Sequence, residues 1–159
     1  MSQITVITVG TLKEKYLTEA VGEYVKRLSQ YARVEQISIK EERICNEDDD
    51  SEIARALDAE GDKILSAVPK GAALIALCVE GKKMDSTALA SLIGRYNDEG
   101  GKIALVIGSS HGLADKVKRA ASTRLSVSDL TFPHQLMRVI LLEALYRSFT
   151  ILAGKKYHK

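Results

Sequence analysis

The chain has 159 residues, 45% apolar and 28% charged, with a net charge of +2. That balance excludes a disordered segment and fits one globular domain, able to bury roughly 70% of the surface its unfolded chain exposes. No apolar run approaches the ~20 residues of a membrane span, MSQITVITVG lacks the basic start and apolar stretch of an export signal, and Cys45 and Cys78 form no CxxC pair. Two reduced thiols in a cytoplasmic protein are therefore expected.

Short β-branched runs alternate with helical spacings, the pattern of parallel βαβ units. Ile4 to Val9 reads as a strand closed by Gly10, and Leu17, Ala20, Val21, Tyr24 and Leu28 recur at helical spacing. VEQISI, residues 34 to 39, alternates apolar and polar, which predicts a strand with one wet face near a sheet edge. Asp49, Asp50 or Ser51 caps the next helix, whose apolar line is Ile53, Leu57, Ile64, Leu65 and Val68 and whose end is marked by Pro69 and Gly71. ALIALCV, residues 73 to 79, predicts a central strand covered on both faces and ended by Gly81. Asp85 or Ser86 caps a helix through Tyr96, and Ile103 to Ile107 forms a second buried strand ending at Gly108. A short basic helix from about Leu113 to Ala121 precedes a last strand, Arg124 to Val127. Pro133 suits the first position of the final helix, where a missing N–H has no partner to lose, and Gly154 closes it. These elements predict a single α/β domain over residues 1–159, with a mainly parallel five-stranded sheet flanked by helices.

The final helix is apolar nearly all round, broken chiefly by Arg138, Glu143 and Arg147. A helix covering a sheet normally keeps a polar outer stripe. The expectation is packing on the sheet with one side and on a second copy of the chain with the other, against cover supplied by the same chain.

Charge is divided unevenly. Residues 41–62 hold ten acids against two bases, a net of −8, while residues 113–159 hold nine bases against three acids, a net of +6. Either the C-terminal third meets a polyanion, or the two halves are differently solvated faces.

Ligands of parallel α/β sheets bind where loops leave the carboxyl ends of strands. Three such loops stand out: Val79-Glu80-Gly81, Gly108-Ser109-Ser110-His111-Gly112, and Ser126 to Pro133. The second is bounded by glycines, so it is either a tight turn or a place where backbone approaches a ligand closely. It matches neither GxGxxG nor GxxxxGK[ST], which weighs against a dinucleotide-dependent oxidoreductase or a P-loop. His111, His134 and His158 lie in separate segments with no ligand-type partner at i+4, so no metal is expected, and GxSxG is absent. His134 falls in the first turn of the last helix, either as a substrate contact or simply as a residue at a helix start. Lys155-Lys156-Tyr157-His158-Lys159 mixes cations with an aromatic and an imidazole, which suits either a nucleic-acid strand or a solvated end.

The segments ITVITVGTLKEKY, ALVIGSSHGL, LSVSDLTFPHQLMRVILLEALYRSF and the terminal YHK together resemble the RlmH (YbeA) family, SPOUT-class methyltransferases acting on N3 of a pseudouridine in 23S ribosomal RNA. The resemblance runs from end to end, and TFPHQLMRV and YHK are its most specific parts. It implies a C-terminal trefoil knot, which general topology rules would not suggest, and a homodimer acting on the large subunit, in the assembled ribosome. It also implies S-adenosyl-L-methionine held by Leu77, Gly108 and Val127, Ser128, Asp129, Leu130, Thr131 and Phe132. Where the family commonly has a second glycine after Gly108, Ser109 stands here; serine is small enough to keep the turn. His134, Arg138, Tyr157 and His158 are the candidates for orienting the target base and accepting its proton. The alternative is a non-catalytic RNA- or ribosome-binding factor of the same fold, and donor binding separates the two.

Overall fold

In the computed structural model, which describes residues 1–159, the alternating pattern condenses into ten elements. They are β1 (Ser2–Val9), α1 (Lys15–Leu28), β2 (Ala32–Ile39), α2 (Asp50–Ala67), β3 (Ala73–Lys83), α3 (Ser86–Glu99), β4 (Lys102–Ile107), α4 (Asp115–Ala120), β5 (Thr123–Ser126) and α5 (His134–Leu152). The strands form one sheet in the order β2-β1-β4-β3-β5, every pairing parallel. β2 lies at an edge, as its wet face predicts, and the apolar runs of β1 and β4 lie inside.

Because successive strand residues point to opposite faces, β1 and β4 each feed two cores. Ile4, Val6, Ile103, Leu105 and Ile107 meet α1, α3 and α5 on one side. Ile7, Val9, Ala104 and Val106 meet Ile64 of α2 and Val117 of α4 on the other. Asp49 is the residue that caps α2, its side chain accepting from the amides of Ser51 and Glu52 at 2.9 and 3.2 Å, and Asp85 caps α3 through Ala88 at 2.8 Å. Cys45 and Cys78 are both free. No helix is long and apolar enough to cross a membrane.

Four expectations need correction. β3 does not end at Gly81: it continues to Lys83 after a register shift between Leu77 and Lys82. Gly81 serves close approach instead, since a Cβ there would lie 2.6 Å from the carbonyl carbon of Leu125 in β5. Nor is the whole ALIALCV run covered, because only Leu74 to Ala76 are fully buried and Val79 is 71% exposed. On α2 the buried residues are Ala56, Glu60, Gly61 and Ile64; of the expected apolar line only Ile64 is fully inside. The small residue Gly61 lets α4 approach, a Cβ there meeting Ala114 at 3.1 Å and Val117 at 3.3 Å. Finally, Pro133 has ψ 136° and caps α5 rather than starting it, so His134 is the first helical residue.

α5 lies between α1 and α3 on the sheet. Leu141, Leu142, Leu145 and Phe149 are buried there. The chain after Gly154, whose φ is +67°, turns back along the helix and sets the Tyr157 ring edge-on to Tyr146, with centroids 4.9 Å apart. Part of the apolar surface of α5 is thus covered by its own chain, while Leu136 and Leu152 stay exposed.

Candidate functional site

The carboxyl ends of β3, β4 and β5 converge on a cavity of about 320 Å³, near the lower end of the ~300–1,000 Å³ typical of small-molecule sites. Its apolar walls include Leu77 from β3, Ile107 from β4, Leu125 from β5, and Val127, Leu130 and Phe132 from the loop before α5. Gly108 to Gly112 and Ser126 to Ser128 also line it.

The turn after β4 is very tight. Gly112 N–H donates to the Ser109 carbonyl at 2.9 Å, and the same two residues form an isolated antiparallel bridge. A Cβ on Gly108 would lie 2.6 Å from the Gly112 carbonyl carbon and 3.0 Å from Leu113 Cδ2, so only glycine fits there. Gly112 has φ +88°, where a side chain is strained. Ser109 is buried in an ordinary backbone conformation, its Oγ accepting from His111 N–H at 3.3 Å. The turn thus keeps its close approach with serine in the second position.

Charged and thiol side chains lie in and around the cavity. Glu80 pairs with Lys118, and that hydrogen bond, the largest influence on it, holds the Glu80 carboxyl below its ordinary range. His111 Nε2 lies 2.6 Å from Glu47 Oε2, tying the turn to the acidic segment before α2. Burial pushes the Cys78 thiol up, followed in effect by Glu80, so it carries little thiolate. Lys116 of α4 is held by Asp58 and Asp62 at 2.8 and 2.6 Å, so one of the C-terminal bases is already neutralised within the chain.

Of the residues expected to hold a donor, Leu77, Gly108, Val127, Ser128, Leu130, Thr131 and Phe132 all line this one cavity. Asp129 belongs to the same loop but turns out to solvent and pairs with Lys83 at 2.5 Å. The cavity's apolar walls and close-set backbone, with its one carboxylate, Glu80, already paired with Lys118, fit a flat, largely uncharged ring such as adenine. Glu80 and His111 line it too, as their strand-end loops predict, and so do Cys78, Leu113, Lys118, Leu125 and Met137, which sequence reasoning does not find. Met137 carries the one readable signal among them, its i+3 spacing from His134 on α5.

The four candidates for handling the acceptor are not gathered together. His134 lines the cavity. Arg138, one turn further along α5, is 6% exposed, and its Nη2 donates to the Gly10 carbonyl at 2.6 Å. Tyr157 donates to Glu143 Oε1 at 3.2 Å with the Arg147 guanidinium 4.9 Å from its ring centre, and His158 Nδ1 lies 3.2 Å from Arg147 Nη1. Burial, then Glu143, raises the Tyr157 phenol above its ordinary range. Glu143 and Arg147 lie roughly 14 and 20 Å along the helix from His134 at 1.5 Å per residue. In one chain, then, the tail sits away from the cavity.

Known proteins resemble this chain in sequence and in fold. A family model described as "Predicted SPOUT methyltransferase" matches residues 2–158. Proteins named Ribosomal RNA large subunit methyltransferase H from Caldicellulosiruptor saccharolyticus and Bacillus pumilus are each 44% identical, over 156 and 157 residues, covering 98% of this chain and 99% of the relative. Among solved structures, a probable methyltransferase from Bordetella pertussis Tohama I overlays with a TM-score of 0.59 over 92% of this chain and 94% of its own, at 15% identity. That last likeness speaks to the fold alone.

Proposed function

Because this chain belongs to the SPOUT methyltransferase family, we propose that it transfers a methyl group from S-adenosyl-L-methionine to N3 of a pseudouridine in 23S ribosomal RNA. The observation that carries the reading is the convergence of Leu77, Gly108 and the Val127–Phe132 loop on one apolar cavity, joined to the names of relatives 44% identical over nearly the whole chain. When bound, the donor supplies an already electrophilic methyl group on its sulfonium.

The protein's own work is then alignment and the handling of one proton. Leu77, Leu130 and Phe132 wall the adenine, and backbone groups at Gly108 and Val127 to Phe132 hydrogen-bond its edge. His134, where the cavity opens beside Gly10, is the group placed in this reading to accept the N3 proton. Cations near the uracil-like ring favour its anionic form, a role assigned to Arg138. Asp129, paired outside the cavity, contributes backbone only.

Tyr157 and His158 lie along α5 from the donor cavity of their own chain. Their participation therefore calls for a homodimer in which the tail of one copy reaches the cavity of the other. The C-terminal knot, the assembled ribosome as substrate and a cytoplasmic setting belong to the same reading.

Two measurements test it. Titration calorimetry with S-adenosyl-L-methionine should give saturable heat; a folded protein giving none would favour a non-catalytic RNA-binding factor. Labelled methyl transfer to ribosomes from cells lacking the activity, followed by mapping, should locate the methyl on a pseudouridine, and a methylated uridine or cytidine would overturn the substrate. Replacing His134→Ala and Tyr157→Phe should each lower the transfer rate by about 10²-fold or more, the usual worth of a positioned proton acceptor or orienting group. Unchanged rates would remove both assignments.

A further inference from the structure

A second cavity, about 400 Å³, opens at the carboxyl ends of β1 and β2 and shares His134 with the first. Its lining is polar throughout except for Ile39. Lys13 and Lys40 reach it from the two sides, with Gly10, Thr11 and Ser38 between them. Both lysines are exposed and neither is in an ion pair. The carboxylate at this cleft is Glu41, whose Oε2 would lie 3.7 Å from a Cβ on Gly10.

A third cation stands behind the Gly10 wall. Arg138 is 6% exposed, its Nη2 bonds the Gly10 carbonyl, and its buried Nε has no hydrogen-bond partner. No carboxylate lies within ion-pair distance of it, although an isolated buried charge is costly. Fields extend further through a protein interior than through water, so the cleft beyond Gly10 favours an anion despite Glu41.

A nucleotide carries its phosphate on one side of the ribose and its base on the other. A cationic cleft and an apolar pocket meeting at one side chain match that division. Building on the methyltransferase reading above, we infer that the β1–β2 cleft holds the backbone phosphate of the RNA strand beside the acceptor nucleotide, with Lys13 and Lys40 as its ligands and Arg138 as the fixed charge behind them. The acceptor base then passes His134 into the donor pocket.

The test is binding of a fluorescent nonauridylate to the full chain, with ¹⁵N amide spectra to locate it. Nonauridylate should shift the amides of Gly10, Thr11 and Lys40, whereas S-adenosyl-L-methionine should shift those of Gly108 to Gly112 and Val127 to Phe132. Lys13→Ala with Lys40→Ala should weaken RNA binding roughly tenfold at low salt and flatten the salt dependence by about 0.7 per lysine, while donor affinity holds. Lys13→Arg with Lys40→Arg should keep the parent affinity. Unchanged RNA affinity in the alanine pair, or shifts at Gly10 and Thr11 caused by the donor rather than RNA, overturns the cleft assignment. RNA shifts at the cleft with no response to the donor would support the cleft and remove the methyltransferase reading, so the two ideas fail separately.

Discussion

Gly108→Ala is the substitution that bears hardest on the proposed donor pocket. Its new Cβ would stand 2.6 Å from the Gly112 carbonyl carbon and 3.0 Å from Leu113 Cδ2, against a comfortable separation of ~3.5–4.0 Å. The obstacle is backbone, so no rotamer change relieves it; residues 108 and 112 must part by about 1 Å. Overpacking of this kind costs about 1–3 kcal/mol. If the open turn is the cheaper state and the donor needs the closed one, most of that cost falls on binding, a loss of about 10- to 100-fold in affinity. The control is Gly71→Ala, at φ +79° with nothing within 4 Å, where only conformational strain of about 1–2 kcal/mol is added. Calorimetry with S-adenosyl-L-methionine reads affinity, and urea unfolding reads stability. Gly108→Ala should lose affinity out of proportion to stability, and Gly71→Ala the reverse. A Gly108→Ala protein binding within twofold of the parent would refute the idea that closure of this turn builds the site.

Two further outcomes concern stability. Glu60 is 3% exposed with Oε1 unpartnered, and burial raises its pKa above the ordinary carboxylate value, the Glu42 amide opposing. The native state therefore holds this proton to higher pH than the unfolded chain does, so stability falls as pH rises from the unfolded pKa through the folded one. Glu60→Gln should match the parent near pH 4 and exceed it near pH 8 in urea midpoints; an equal difference at both pH values would mean that Glu60 is not the titrating group. Gly22 is exposed in α1, and a Cβ added there would have nothing within 4 Å. Gly22→Ala should accordingly raise stability by about 0.5–1 kcal/mol, and a drop in the melting midpoint would count against that account.

The alternation of elements was readable because each layer needed a distinct residue pattern. Uninterrupted apolar residues at Ile103 to Ile107 marked a strand covered on both faces, the wet alternation of Val34 to Ile39 marked an edge, and Asp49 and Asp85 marked helix starts. What escaped reading depended on partners distant in sequence. Gly81 looks like a strand end because glycine usually is one, and its function appears only when β5 lies against it. The buried stripe of α2 includes Gly61 because α4 lies close there, which no periodicity within α2 reveals. Arg138 reads as one of the few polar breaks in an apolar helix, yet the Gly10 carbonyl, 128 positions earlier, draws it inside. The cavity loops were visible as strand ends bounded by glycine or proline; the Glu80–Lys118 pair beside them joins β3 to α4 and left no local mark.

The central position of β1 bears on how the chain is made. It pairs β2 on one side, but its other neighbour is β4, with Gln3 opposite Lys102. At ~5–20 residues per second, about a hundred residues take roughly 5–20 s to synthesise. For that interval an interior strand of the sheet has one edge open, able to recruit any extended segment nearby. Pairings this distant in sequence also fold slowly once the chain is complete. Destabilising changes in β4 should therefore show first as aggregation during synthesis, before any loss of binding in the protein that does fold.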